Sequence, residues 1–501
     1  MVLNMPVVDM LVKGGKLVSP EGVFSASIAI DGGKIVGVGN DATLPTGNKV
    51  LNADGKYIFP GVIDPHTHPG GQRPFDLDIK TQTTVAPLGG VTTMIGICKS
   101  TKMSRTFREI SIPEDVVSYT KIFPEAEDII KQNASVDFAF TWAVQSDEHA
   151  AEIPLYAKEF GVTSYKFYIG YKKADKYTSN IGLPTDIDDG TIYLGFENIG
   201  KIGPPGIALI HAENMEINRI FAKREVDARK NDLTAWSDRS PNFSEAVHIK
   251  AYGYLAKTAQ CPIYVVHLST GEGLEEVMKA RNEGVDITAE TCPQYLIINN
   301  REDPPGIYGK VNPPIRDRTA NERLWWGINA KWVTTIGTDH VPTTRQLKET
   351  RYAKTMGSIH MPIRAKEGAL DVWTIGGAFT GSQTMLPSLL SYGFHTGKVT
   401  LERICNICCY NTAKVFGLQG KGSISVGADA DLAIVDLKLS KKITPELFGV
   451  YCIFEGRELQ GWPVATILRG EIIVDDGRFI GKSGYGQYLR RTVNDGSSSV
   501  L

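Results

Sequence analysis

"VIDPHTH", residues 62–68, closes a short apolar run with two histidines one residue apart, directly after Pro60-Gly61. Residues i and i+2 of a strand point to the same side, so His66 and His68 face one side of any sheet this run joins. Two imidazoles so placed can share a cation, although an HxH pair alone also suits hydrogen-bonded histidines in a strand core. The chain has only nine histidines in 501 residues, so a site built from several must gather distant positions.

Seven further runs of this kind follow: "GGVTTMIGI" (89–97), "VDFAFTWAV" (136–144), "SYKFYI" (164–169), "IALIHA" (207–212), "IYVVHLS" (263–269), "DITAETC" (286–292) and "VTTIGTDH" (333–340). Longer helix-compatible stretches separate them, the signal of βα units and a parallel sheet. The spacing therefore predicts an α/β chain whose middle is a (β/α)8 TIM barrel with long loops. In such a barrel the catalytic face lies at the C-terminal strand ends. His66, His68, Lys166, His211, His267 and Asp339 all stand there, and jointly they point to a metal centre.

Lys166 is the odd member. Its neighbours Tyr165, Phe167 and Ile169 take the helix-facing side, which aims the lysine into the barrel, where an ammonium would meet metal cations. Carboxylation of its amine by CO2 would resolve the conflict, and an ion pair with Asp339 is the other reading. His340, beside Asp339, points the opposite way and is read as structural. His149, His248, His360 and His395 lie outside the strand-end set and are assigned no chemistry.

Outside the barrel, residues 9–60 alternate apolar and polar, with turn signals at Asp31-Gly32-Gly33 and Asp54-Gly55, and read as β-hairpins. Residues 422–475, with "DLAIVDL" and "VATILRGEIIVDDG", do the same. A small β-sandwich formed from both chain ends is expected, residues 1–60 plus 415–475, around a barrel at 61–414. The tail 476–501 is polar, and is expected to be partly disordered or to enter oligomer contacts.

Composition narrows the function. With 54 basic against 56 acidic residues and a net charge of −2, no electrostatic footprint for nucleic acid or an acidic membrane is present. No segment approaches 18 uninterrupted apolar residues and the N-terminus lacks a signal-peptide pattern, so a cytoplasmic protein with a small substrate is expected. Seven cysteines, odd in number and sparse, do not make a disulfide framework. Cys405, Cys408 and Cys409 fall in "LERICNICCYNTAKVFG", which reads as a helix carrying buried thiols.

The motifs "PGVIDPHTH", "GGVTTM", "GVTSYKFYIGYK", "IHAEN", "VVHLS", "AETCPQYL", "KVNPPIRD", "GTDHVP", "KGSISVGADADLAIVD" and "GYGQYLRR" occur in order over nearly the whole chain. Together they resemble the cyclic amidohydrolases of the amidohydrolase superfamily, nearest the D-hydantoinase and dihydropyrimidinase group, with allantoinase and dihydroorotase as cousins. The resemblance implies two divalent ions, zinc first, with manganese, cobalt or iron as alternatives, bridged by N-carboxylated Lys166. It implies that His66, His68 and Asp339 hold the more buried ion, and His211 and His267 the more exposed one. Asp339 would also act as general base and acid, and Tyr171 would hydrogen-bond the substrate carbonyl. Asn312 would stand where the family holds the ring amide. A homotetramer or dimer is implied as well.

The substrate is less legible. Dihydroorotases carry an arginine two residues after the second histidine; Gly70 stands there, which disfavours dihydroorotate. Arg73 reads as a surface residue. Pro69 and Tyr168 fall where hydantoinases shape the substrate pocket, and Asn312 replaces the serine usual before the two prolines. The long segment 172–187 is expected to contact substrate. Other readings are an amidohydrolase acting on allantoin or on an acyclic amide, ester or lactone, and a non-catalytic scaffold. The filled ligand positions weigh against the scaffold.

Overall fold

The computed structural model describes residues 7–100, 116–171, 187–349 and 370–493. Eight strands form the barrel sheet: β6 (Val62–Thr67), β7 (Val91–Cys98), β8 (Asp137–Ala143), β9 (Ser164–Phe167), β10 (Ile207–Ile210), β11 (Ile263–Val265), β12 (Ile287–Thr291) and β13 (Thr335–Ile336). They pair in parallel and in sequence order from β6 to β13. Every residue of β7 and β8 is buried, as expected of strands covered on both faces. All eight lie within the runs read from the sequence or one residue beyond them. A parallel bridge between Thr67 and His340 closes the ring, with His68 N–H donating to His340 O at 2.7 Å and His340 N–H to His66 O at 3.1 Å.

The second sheet takes strands from both chain ends: β1 (Val8–Ser19), β2 (Gly22–Asp31), β3 (Lys34–Gly39), β4 (Gly47–Asn52) and β5 (Tyr57–Pro60), then β14 (Leu432–Lys442), β15 (Glu458–Leu468), β16 (Glu471–Asp475) and β17 (Arg478–Phe479). Its order is β17-β16-β15-β14-β5-β1-β2-β3, with β4 also on β1. It encloses its own core, including Val12, Ile28, Ile58, Leu432 and Ile467.

The hairpin at Asp31-Gly32-Gly33 is present, joining antiparallel β2 and β3. The one expected at Asp54-Gly55 is not: β4 and β5 both run parallel to β1, on its first and second halves. β1 shifts register against β2 between Val12 and Gly15, where its parallel partner changes from β4 to β5. Gly14 there has φ +78°, and a Cβ on it would fall 1.8 Å from Asp54 Oδ1, so the break and the turn need each other.

A buried ion cluster ties the sheets together. Lys421 Nζ lies 2.6 Å from Asp137 of β8, 2.7 Å from Asp431 and 3.0 Å from Asp429, and Arg469 also pairs with Asp137. The tail is seated on the barrel: Phe138 N–H donates to Gln487 O and Leu489 N–H to Phe138 O, both at 2.8 Å. Arg491 is buried and donates to Ser164 Oγ at 2.8 Å and to Phe140 O.

The cysteine-bearing segment is helical over Leu401–Val415, with a wider π turn at Asn406–Tyr410. All seven cysteines are free and buried. Among the described residues no helix is long and apolar enough to cross a membrane.

Candidate metal centre

The candidate ligands meet in one cavity at the C-terminal ends of the barrel strands, lined by His66, His68, Lys166, His211, His267 and Asp339 together with Tyr168 and Asn312. His66 and His68 come from the end of β6, Lys166 from β9, and the others from the turns that follow β10, β11 and β13. Such strand-end turns project side chains over the mouth while the strands stay rigid. His267 and Asp339 have φ of +43° and +55°, a left-handed conformation that costs non-glycine residues about 1–3 kcal/mol.

His68 Nε2 is 2.9 Å and His66 Nε2 3.3 Å from the same Asp339 oxygen, Oδ1. Donor atoms of this trio all lie within 4.8 Å of one another. Opposite them, His211 Nδ1 and His267 Nε2 face each other at 2.8 Å. Burial, the largest influence, keeps His66, His211 and His267 below the ordinary imidazole pKa and therefore neutral, with lone pairs to offer. Burial pushes the Asp339 carboxyl up, but His66, His68 and Lys166 around it outweigh that and hold it below the usual range. The donor set fits divalent cations: neutral imidazoles and an ionised carboxylate converge, and His66 Nε2 is buried without a hydrogen-bond partner among the described residues.

Lys166 is fully buried, and its Nζ likewise has no hydrogen-bond partner among the described residues. Burial pushes it down to about 7, opposed by Asp339 and Glu290. No ion pair joins it to Asp339. Its amine stands 5.3 Å from the ring centre of Tyr168.

The expected substrate contacts divide. Tyr168 and Asn312 line the cavity; the Asn312 Oδ1 accepts from Arg239 at 2.7 Å. Pro69 is not among the described lining residues; it is buried beside Gly96, where a Cβ would come 3.1 Å from its ring. Arg73 pairs with buried Asp78 at 2.9 Å and so braces the loop after the histidine pair. The backbone of Tyr171 ends a 3-10 turn, Ile169–Tyr171, while its side chain and residues 172–186 lie outside the described residues. His340 Nδ1 accepts from the backbone N–H groups of Gly381 and Ser382, the structural role expected of it.

Sequence reasoning missed the carboxylates behind the ligands. Glu213 Oε2 lies 3.1 Å from His211 Nε2, and Glu290 Oε1 lies 2.7 Å from His66 Nδ1. For Glu213 a signal existed, its i+2 spacing from His211. Burial pushes Glu290 up to about 8.

Comparison with known proteins identifies the relatives of this chain. The profile of the Amidohydrolase family matches residues 318–473. The L-hydantoinase of Paenarthrobacter aurescens is 30% identical over 496 residues, covering 96% of this chain and 98% of that protein. The allantoinase of Solibacter usitatus is also 30% identical, over 98% of this chain and 99% of its own. The solved structure of the L-hydantoinase (dihydropyrimidinase) from Arthrobacter aurescens superposes with a TM-score of 0.82 at 28% identity, covering 97% of this chain and 100% of that one. With such likeness along almost the entire length of each relative, this chain belongs to the amidohydrolase family, among its hydantoinases and allantoinases.

Proposed function

We propose that this protein opens the ring of a small cyclic amide, a hydantoin, dihydropyrimidine or related ureide, by hydrolysing a ring C–N bond. The observation that carries the reading is the convergence of four histidines, Lys166 and Asp339 on one strand-end cavity. The amidohydrolase family is metal-dependent, and this chain has its His–His–Asp cluster. In the proposal His66, His68 and Asp339 hold one divalent ion and His211 and His267 a second, with zinc the first choice. Lys166, N-carboxylated, would be a further anionic ligand for them. Bound there, two such ions supply hydroxide near neutral pH and polarise an amide carbonyl.

The residues do the rest. Burial favours the neutral amine of Lys166, the form that combines with CO2, and the product is an anion suited to two cations. The Asp339 carboxylate takes the proton of the attacking water and passes it to the leaving ring nitrogen. The Tyr171 hydroxyl donates to the carbonyl oxygen as negative charge develops on it. Asn312 and Tyr168 bound the ring. Allantoin is the second reading, supported by an allantoinase relative of equal identity.

A cytoplasmic homotetramer or dimer belongs to the same proposal, as does the division into residues 1–60 with 415–475, 61–414 and 476–501. The test is elemental analysis of the purified protein beside ring-opening assays with hydantoin, dihydrouracil, allantoin and dihydroorotate. About two metals per chain, and turnover of one ring that Lys166→Ala abolishes, is the expected result. A metal-free, inactive protein, even after zinc and bicarbonate are supplied, would sink the reading and favour a scaffold.

A further inference from the structure

Glu290, on β12, lies beneath the candidate ligands and touches both groups of them. Its Oε1 is 2.7 Å from His66 Nδ1 and accepts from the backbone N–H of His267 at 2.9 Å. Its Oε2 accepts from the Tyr264 hydroxyl at 2.8 Å, and that hydroxyl is 2.8 Å from Thr335 Oγ1. The carboxylate is fully buried. The chain leaves room for it: a Cβ on Gly337 would fall 2.3 Å from Oε2 and 2.8 Å from the His66 Cβ.

This arrangement has two physical effects. An acceptor at Nδ1 fixes the imidazole of His66 as the Nδ1–H tautomer and leaves the Nε2 lone pair turned towards Asp339. The same oxygen holds the backbone of His267 in its left-handed conformation, which sets where that ring stands. Glu213 differs, because its carboxylate reaches only His211 among the candidate ligands. We propose that Glu290 is the positioning residue that sets the two ligand groups relative to each other, one oxygen bearing on a histidine of each.

The inference rests on the metal reading above, and the experiment separates the two. Metal-free wild type, Glu290→Gln and Glu290→Leu are titrated with zinc in a calorimeter, and the tautomer of His66 is read from its imidazole nitrogen resonances. A carboxamide keeps an acceptor oxygen at Oε1, so Glu290→Gln is expected within about tenfold of wild type. Leucine removes the acceptor, and is expected to weaken both ions by about 10–100-fold and to release the His66 tautomer. Should Glu290→Leu fail to fold, Tyr264→Phe, which frees Oε2, is expected to weaken both ions together by a smaller factor.

Zinc binding by Glu290→Leu equal to wild type would overturn the inference and leave the metal reading standing. Glu290→Gln as weak as Glu290→Leu would also overturn it, because charge rather than acceptor geometry would then matter. Loss of only one ion in Tyr264→Phe would do the same. A wild type that binds no zinc would remove the metal reading, and the inference with it.

Discussion

Glu213 shows how much a single buried carboxylate can carry. Burial pushes it up, but Arg239, His211 and Ser240 outweigh that and bring it down to about 2 from an ordinary 4.5. A depressed carboxyl adds stability that is fully present above about pH 4.5 and drains away as the pH falls through about 2, a contribution of about 3 kcal/mol. Glu213→Gln should therefore be less stable than wild type at pH 7, with the gap narrowing as the pH drops from 5 towards 3 in urea unfolding curves. A gap constant with pH would count against the ionised carboxylate as its source. At this scale the ligand candidates were legible because histidine is rare and strand spacing is rigid. The supporting carboxylates were not, since one glutamate on a strand makes no pattern, and adjacency to His68 does not say which way the Pro69 ring packs.

Elements were legible wherever one period dominated. The eight barrel runs could be read from apolar strings buried on both faces, though the strands are shorter than the runs: "VTTIGTDH" supplies only Thr335–Ile336 as paired strand. Asp54-Gly55 misled because a turn signal says that the chain bends, not which strand it then joins. The contact between sheets through Lys421 was invisible, because its partner on β8 lies 284 positions away. Removing that ammonium would leave Asp137 and Asp431 buried without their shared cation. Lys421→Met should cost about 3–5 kcal/mol, read as a lower urea midpoint. A midpoint within error of wild type would mean that Arg469 alone suffices.

For the molecule as a whole, the sequence foretold a barrel with a sheet made from both ends, but not that the tail belongs to the barrel. Polarity suggested partial disorder or oligomer contacts; in the described residues, the backbone of Gln487 and Leu489 pairs with β8, and Arg491 fills a buried place against β8 and β9. Deleting residues 482–501 should lower the melting temperature by several degrees, since Phe138 N–H loses its partner Gln487 O and Phe140 O keeps only the Ser164 hydroxyl after Arg491 is gone. An unchanged melting temperature would make the tail dispensable to the fold. The substrate stays the least legible property, because hydantoinase and allantoinase relatives stand at the same identity.

The closure of the barrel between Thr67 and His340 has one more consequence. The amides of His68 and His340 that lace this seam flank the very side chains proposed to hold a cation. Prising the seam apart would separate His66 and His68 from Asp339, so a bound ion would act as a clasp, and solvent deuterium would reach the two amides only when the clasp lets go. Their exchange should slow on adding zinc, in step with the ion's affinity, while amides of the terminal sheet keep their pace. These two protons would then work as a built-in gauge of how firmly the centre is loaded.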